Sequence, residues 1–253
     1  KDSSDYVKGV LNRRFVKKVF TRDEHVKERL IKLGVDSSKL HVSYDPAIMI
    51  TGEAGNYKKY LSPKQQYMYD DGRKNIVMAI SGEADIISKT PIDAIEEAVT
   101  RLVERYSANL FLIPTGCGKQ CMDTALMKRM EEDIAGKYVT VIEKEFAPED
   151  LVCFLKGVDL IISSRLHMNI FGACAGIPSI GLVRNEKIID FADILGLPYM
   201  ELNTFNAEKL TMMSENIFLN ADDFRNNVVI KRERMRNVYG ASVDILASEI
   251  MNM

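Results

Sequence analysis

From Asn75 onward, short runs of branched apolar residues alternate with stretches in which apolar residues recur every three or four positions. Ile76–Ile80, Leu110–Ile113, Val139–Ile142, Leu160–Ile162, Ser179–Val183 and the weaker Tyr199–Leu202 are too short for helices and read as strands buried on both faces. Helices fall between them. Pro91, at the first helical position after Thr90, opens one that runs to about Tyr106. Met122, Leu126, Met127 and Met130 mark the next, with the methionines as core filler. Pro148 opens a third through Leu155, and Met168–Ala175 is a fourth, ended by Gly176 and blocked by Pro178. Six strands alternating with helices predict a doubly wound, Rossmann-like parallel sheet. In the common strand order 3-2-1-4-5-6, strands one and four are neighbours and a ligand crevice lies between their carboxyl ends.

The flanks are different. Residues 1–50 give a helix end (Asp5–Phe15), a strand (Val16–Phe20), a helix (Asp23–Leu33, with Thr21 as expected cap) and a strand (Leu40–Tyr44). That is too little to close a core, so this part is expected to be the end of an N-terminal α/β domain. Residues 51–74 lack sustained periodicity and read as a linker or a short helical crossing. Residues 75–220 form the main domain. Residues 221–253 form one long helix from Asp222, about 48 Å at 1.5 Å per residue. Gly240 offers a bend, and the part beyond it is expected to return to residues 1–50.

Composition narrows the function classes. The 253-residue chain is 46% hydrophobic and 28% charged, ordinary for a globular protein. A formal net charge of −2 gives no electrostatic case for nucleic acid. No apolar run approaches the roughly 20 residues of a membrane span, and no signal-peptide pattern is present. Cys153 and Cys174, in apolar helical contexts, read as buried thiols and suggest a reducing, cytoplasmic setting. Cys117 and Cys121 form C-x-x-x-C without the spacing or histidines of a zinc site, so no metal is expected. The run Lys231-Arg232-Glu233-Arg234-Met235-Arg236 reads as a solvated face, with peripheral contact at the inner face of a membrane as the other reading.

The candidate chemistry sits at the end of the fourth strand. Ser164, Arg165 and His167 stand where a buried strand hands over to a helix, at the carboxyl edge of the sheet. An arginine there also serves as a plain ion-pair partner, and a histidine as a plain cap. The two together at a helix N-terminus, however, suit an anion. Ser81 and Gly82, ending strand one, would face them, and Asn185, Glu186 and Lys187 flank the same edge after strand five. An arginine offers a planar fork for carboxylate or phosphate, and an imidazole can move a proton near neutral pH.

The segment SRLHMNIFGACAGIPSIGL, from Ser164, resembles the polysaccharide pyruvyl transferase family, with its S-x-RLH, small-residue helix and Gly-x-Pro strand. Phe20-Thr21-Arg22-Asp23-Glu24-His25 and Tyr44-Asp45-Pro46-Ala47 resemble that family's RD-x-x-S and D-P-A segments, with His25 in place of the usual serine. The resemblance implies two Rossmann-like domains facing across a cleft, as in GT-B glycosyltransferases, with no cofactor. It implies transfer of the pyruvyl group of phosphoenolpyruvate onto a sugar of a cell-surface polysaccharide or its lipid-linked precursor, forming a pyruvate ketal. Arg165 and His167 would hold the donor's anionic groups and assist protonation, and Arg22 would contact substrate. The family's first Gly-rich strand–turn–helix and several βα units have no counterpart here, so the first half of the N-terminal domain is expected to lie outside this chain. Two alternatives stand beside this reading. One is a GT-B glycosyltransferase using a nucleotide sugar, with Glu186 on a ribose and Arg165 on the diphosphate. The other is a non-catalytic scaffold that keeps the fold alone.

Overall fold

The central strands of the main sheet alternate their side chains between two cores. We describe residues 3–83, 91–115, 122–134, 136 and 138–251 of a computed structural model. Cys117 and Cys121 lie outside the described residues. The chain divides into two units, residues 1–49 with 232–253, and residues 50–231.

In the larger unit the parallel strands are β3 (Asn75–Ala79), β4 (Asn109–Leu112), β5 (Val139–Val141), β6 (Leu160–Ser163), β7 (Ser179–Val183) and β8 (Tyr199–Glu201). Their order is β5-β4-β3-β6-β7-β8, the 3-2-1-4-5-6 order that the pattern predicts. Ile76, Met78, Leu110, Leu112, Leu160 and Ile162 join one core, while Val77, Ala79, Phe111 and Ile161 join the other. A period of two with both faces buried explains the continuous apolar runs. Asp159, just before β6, ties two strand starts together, because its carboxylate accepts from the Asn75 backbone N–H at 2.8 Å where β3 begins.

The helices of this unit are α3 (Pro63–Asp70), α4 (Ile92–Tyr106), α5 (Met122–Asp133), α6 (Pro148–Leu155), α7 (Leu166–Ala175), α8 (Glu186–Leu195), α9 (Ala207–Leu219) and the start of α10 (Ala221–Met251). Gly176 closes α7 at φ 76°, in the left-handed region that favours glycine. Of the methionine stripe, Met127 and Met130 are fully buried, while Met122 is exposed.

Residues 51–74 belong to the larger unit and carry α3, which is the short helical crossing of the two expectations for this stretch. Ser62 and Gln65 form a capping box, and the Gln65 amide donates to Thr140 Oγ1 and the Val141 carbonyl at 3.1 and 2.8 Å. Asp150 accepts from the Asn56 backbone N–H at 2.6 Å and from the Tyr60 hydroxyl at 2.7 Å. Tyr57 and Tyr69 stack among Phe111 and Phe154. The segment lacks a helical period because aromatic and amide side chains fasten it, not an apolar stripe. α9 was not expected at all, although Leu210, Ser214 and Ile217 are buried at helical spacing.

The smaller unit holds α1 (Ser3–Leu11), the parallel pair β1 (Val19–Thr21) and β2 (Leu40–Val42), α2 (Glu24–Lys32) and the later part of α10. Asp23, not Thr21, caps α2, accepting from the Val26 N–H at 2.7 Å. Thr21 stays in the strand and gives its hydroxyl to the Asp23 carbonyl. Ser242 donates to the Val42 carbonyl at 2.8 Å, and Arg236 Nε donates to the Ile48 carbonyl at 2.9 Å. α10 joins this unit from Arg232, eight residues before Gly240, and runs through that glycine unbroken. Arg232 and Arg236 are each only 16% exposed, so the basic run is not a solvated face throughout.

Candidate active site at the carboxyl edge of the sheet

The edge is assembled by serine hydroxyls that tie neighbouring strand ends together. Ser163 Oγ donates to the Ala79 carbonyl at 3.0 Å and accepts from the Arg165 N–H at 2.9 Å. Ser164 Oγ accepts from the Ser81 N–H at 2.9 Å. Ser81 and Ser164 are fully buried, so these two expected ligand contacts fasten the end of β3 to the end of β6. Gly82 is needed because a Cβ would come within 2.2 Å of the Met122 carbonyl carbon, at the head of α5. A Cβ is fixed by the backbone that carries it, so no rotamer relieves the clash.

This close approach brings Asp123 to the site. Asp123 is 2% exposed and accepts from the Gly82 N–H at 2.6 Å, and from the Thr115 N–H and hydroxyl at 3.4 and 3.3 Å. Arg165 NH2 donates to both of its oxygens, at 2.7 and 2.8 Å. Burial alone would push the Asp123 carboxyl up, but the Gly82 N–H, the Arg165 guanidinium and the Thr115 N–H together hold it below the usual carboxylate value. The other arm of Arg165, NH1, donates to Glu83 at 3.0 Å. Arg184, just beyond β7, reaches Ser81 Oγ at 3.1 Å and Glu83 at 3.5 Å. Three adjacent strands, β3, β6 and β7, thus deliver a carboxylate and two guanidinium groups to one point.

His167 is exposed on the first turn of α7, two residues from Arg165, its ring 6.3 Å from that of Phe171. Asn185 occupies the cap position of α8 without a side-chain cap bond, and Glu186 and Lys187 are exposed on its first turn. Arg22 lies in the smaller unit after β1, 3.5 Å from Asp23, with His25 exposed on α2. Near it, Tyr44 holds φ 60°, a left-handed conformation that costs a non-glycine residue energy. Sequence reasoning missed Asp123, Glu83 and Arg184. The available signal was position, since each stands where a strand hands over to a helix. Among the described residues no group of three or more His, Cys, Asp or Glu side chains is placed to hold a metal. No helix among them is long and apolar enough to cross a membrane.

Comparison with solved structures shows a GT-B fold. A glycosyltransferase from Rickettsia africae is 16% identical with a TM-score of 0.63, aligned over 100% of this chain and 68% of its own. A UDP-GlcNAc 2-epimerase from Neisseria meningitidis, bound to UDP-GlcNAc, is 13% identical with a TM-score of 0.65, over 92% of this chain and 61% of its own. The S. aureus MnaA–UDP structure is 16% identical at 0.63, over 90% and 61%. The chain therefore spans about 61% of the length of the last two. No curated protein sequence matches it. The family model for polysaccharide pyruvyl transferase matches residues 1–186, and the chain belongs to that enzyme family.

Proposed function

We propose that this protein moves the pyruvyl group of phosphoenolpyruvate onto a sugar of a cell-surface polysaccharide or its lipid-linked precursor, forming a pyruvate ketal. The observation that carries the reading is the pairing of Arg165 and His167 at the head of α7, beside the β3–β6 crevice of a parallel sheet. Arg165 holds the donor's anionic end through the guanidinium arm that Asp123 leaves free of itself. His167 gives a proton to the methylene carbon, and the carbon bearing the phosphate becomes electrophilic. A sugar hydroxyl attacks that carbon and loses its proton. Phosphate then leaves with the bonding electron pair, and a second hydroxyl of the sugar adds to the same carbon and gives its proton to the departing phosphate, closing the ketal.

The test is phosphate release from phosphoenolpyruvate in the presence of acceptor glycan. His167→Ala is expected to lower turnover by about 100-fold or more, the usual weight of a positioned acid, while donor binding persists. Unchanged phosphate release in this variant, or in Arg165→Ala, overturns the assignment.

A nucleotide-sugar donor is the second reading, favoured by the UDP and UDP-GlcNAc bound in the MnaA and Neisseria structures. Glu186, exposed at the start of α8, would accept from a ribose, with Arg165 on the diphosphate. Titration with phosphoenolpyruvate and with UDP or GDP sugars separates the two. Tight nucleotide binding lost on Glu186→Ala decides for the second.

A further inference from the structure

Two carboxylates compete for Arg165, and they are not equivalent. Asp123 is 2% exposed and holds three donors besides the arginine. Displacing it would strand the buried Gly82 N–H and a buried charge, each costly. Glu83 is 47% exposed, and among the described residues no such set of backbone and hydroxyl donors surrounds its carboxylate. One of its oxygens lies 3.0 Å from Arg165 NH1 and the other 3.5 Å from Arg184 NH1. A single carboxylate group thus bridges two guanidinium groups that come from the ends of adjacent strands β6 and β7. That is the geometry by which two arginines hold a carboxylate or phosphate. Arg184 is 24% exposed and anchored to the buried Ser81 hydroxyl, so its placement does not depend on Glu83. Arg165 Nε, itself buried, has no partner among the described residues.

We propose that Arg165 and Arg184 form a two-arginine anion subsite, and that Glu83 occupies it as a built-in stand-in that an incoming carboxylate or phosphate displaces. The inference rests on the donor reading above for the identity of the ligand, but not for the existence of the subsite. With Glu83 in place, the two guanidinium charges are balanced by Asp123 and Glu83. Once Glu83 swings out, one net positive charge faces the ligand. The exposed carboxylate then keeps the arginines ordered between turnovers and discriminates against weak monoanions, which cannot outbid it. Arg184 becomes a specificity-determining contact that the RLH segment alone does not supply.

The test uses calorimetric titration of the full chain with two probes, inorganic phosphate and phosphoenolpyruvate. Glu83→Gln and Glu83→Ala are expected to tighten binding of both anions about threefold, the worth of one exposed ion pair removed from competition. Arg184→Gln is expected to weaken both about tenfold, by loss of a charge-assisted bond. Unchanged or weaker binding in both Glu83 variants, or unchanged binding in Arg184→Gln, overturns the subsite. If inorganic phosphate follows the expected pattern while phosphoenolpyruvate binds to no variant, the subsite stands and the pyruvyl-transfer reading falls. If phosphoenolpyruvate binds all variants equally and is turned over, the subsite falls and the pyruvyl-transfer reading stands.

Discussion

Replacing Asp123 by Ala tests whether the edge of the sheet is held together as described. The substitution removes a carboxylate that is 2% exposed and accepts from Gly82, Thr115 and Arg165. It leaves the Gly82 N–H buried without an acceptor, at about 1–3 kcal/mol, and a guanidinium only 19% exposed without its main partner. Breaking a buried pair from one side costs about 3–5 kcal/mol, and Arg165 keeps Glu83, so about 3 kcal/mol is expected. Asp123→Asn retains one acceptor for Gly82 and should cost about 2 kcal/mol, the loss of charge-assisted bonding. In a double-mutant cycle with Arg165→Ala, the coupling should be about 2 kcal/mol, within the range for residues that share one network. Urea unfolding followed by circular dichroism reads these as shifts in midpoint, with the slope compared across variants. The folded carboxyl lies below its ordinary value, so the coupling is fully present above the unfolded value of about 3.9 and fades as pH falls through the folded one. A cost under about 1 kcal/mol for Asp123→Ala, or a coupling near zero, would refute the claim that Asp123 positions Arg165.

Two further tests address the scaffold. The ammonium of Lys59, the Asn56 N–H and the Tyr60 hydroxyl pull the Asp150 carboxyl down to about 2. Its contribution should therefore be intact above about pH 4 and lost as pH falls toward 2, and Asp150→Asn should abolish that part of the acid profile, read by proteolysis of residues 55–60 against pH. Ser107 ends α4 at φ 48° and is exposed, so Ser107→Gly should stabilise by up to about 1 kcal/mol, read as a melting temperature raised by about 2–4 °C. An unchanged or lower melting point would show that Ser107 carries no strain.

The sheet was legible because its strands bury both faces, which leaves branched apolar runs too short for helices and bounded by turn residues. Gly176 and Pro178 made the end of α7 readable, and Gly176 does adopt the left-handed conformation. Residues 57–70 were not legible, because their partners Asp150, Thr140 and Phe154 lie more than 70 positions away. Thr21 and Asp23 are both good caps for α2, and Asp23 takes the role because the Thr21 hydroxyl is engaged with the Asp23 and His41 carbonyls. α9 carried a readable spacing at Leu210, Ser214 and Ile217, but a serine at the central buried position disguised it. Of the site, the RLH segment was legible as local sequence. The pair of Arg165 with Asp123 was not, because it spans 42 positions and depends on Gly82 admitting the head of α5.

That pair bears on an ambiguity present from the start, whether Arg165 serves structure or ligand. The geometry assigns the two arms of one guanidinium to different work. NH2 faces a buried carboxylate with several other donors, which no ligand would displace without stranding them. NH1 faces an exposed carboxylate that water can replace at little cost. An arginine used only as a strut would not need the second arrangement, and a free anion clamp would not need the first. Asp123 and Glu83 variants should therefore separate the two duties. Changes at Asp123 should move unfolding and binding together, whereas changes at Glu83 should move anion affinity and leave the unfolding free energy within about 0.5 kcal/mol of the parent. A Glu83 variant that loses stability as Asp123→Ala does would place both carboxylates in the scaffold and leave Arg165 no arm for a ligand.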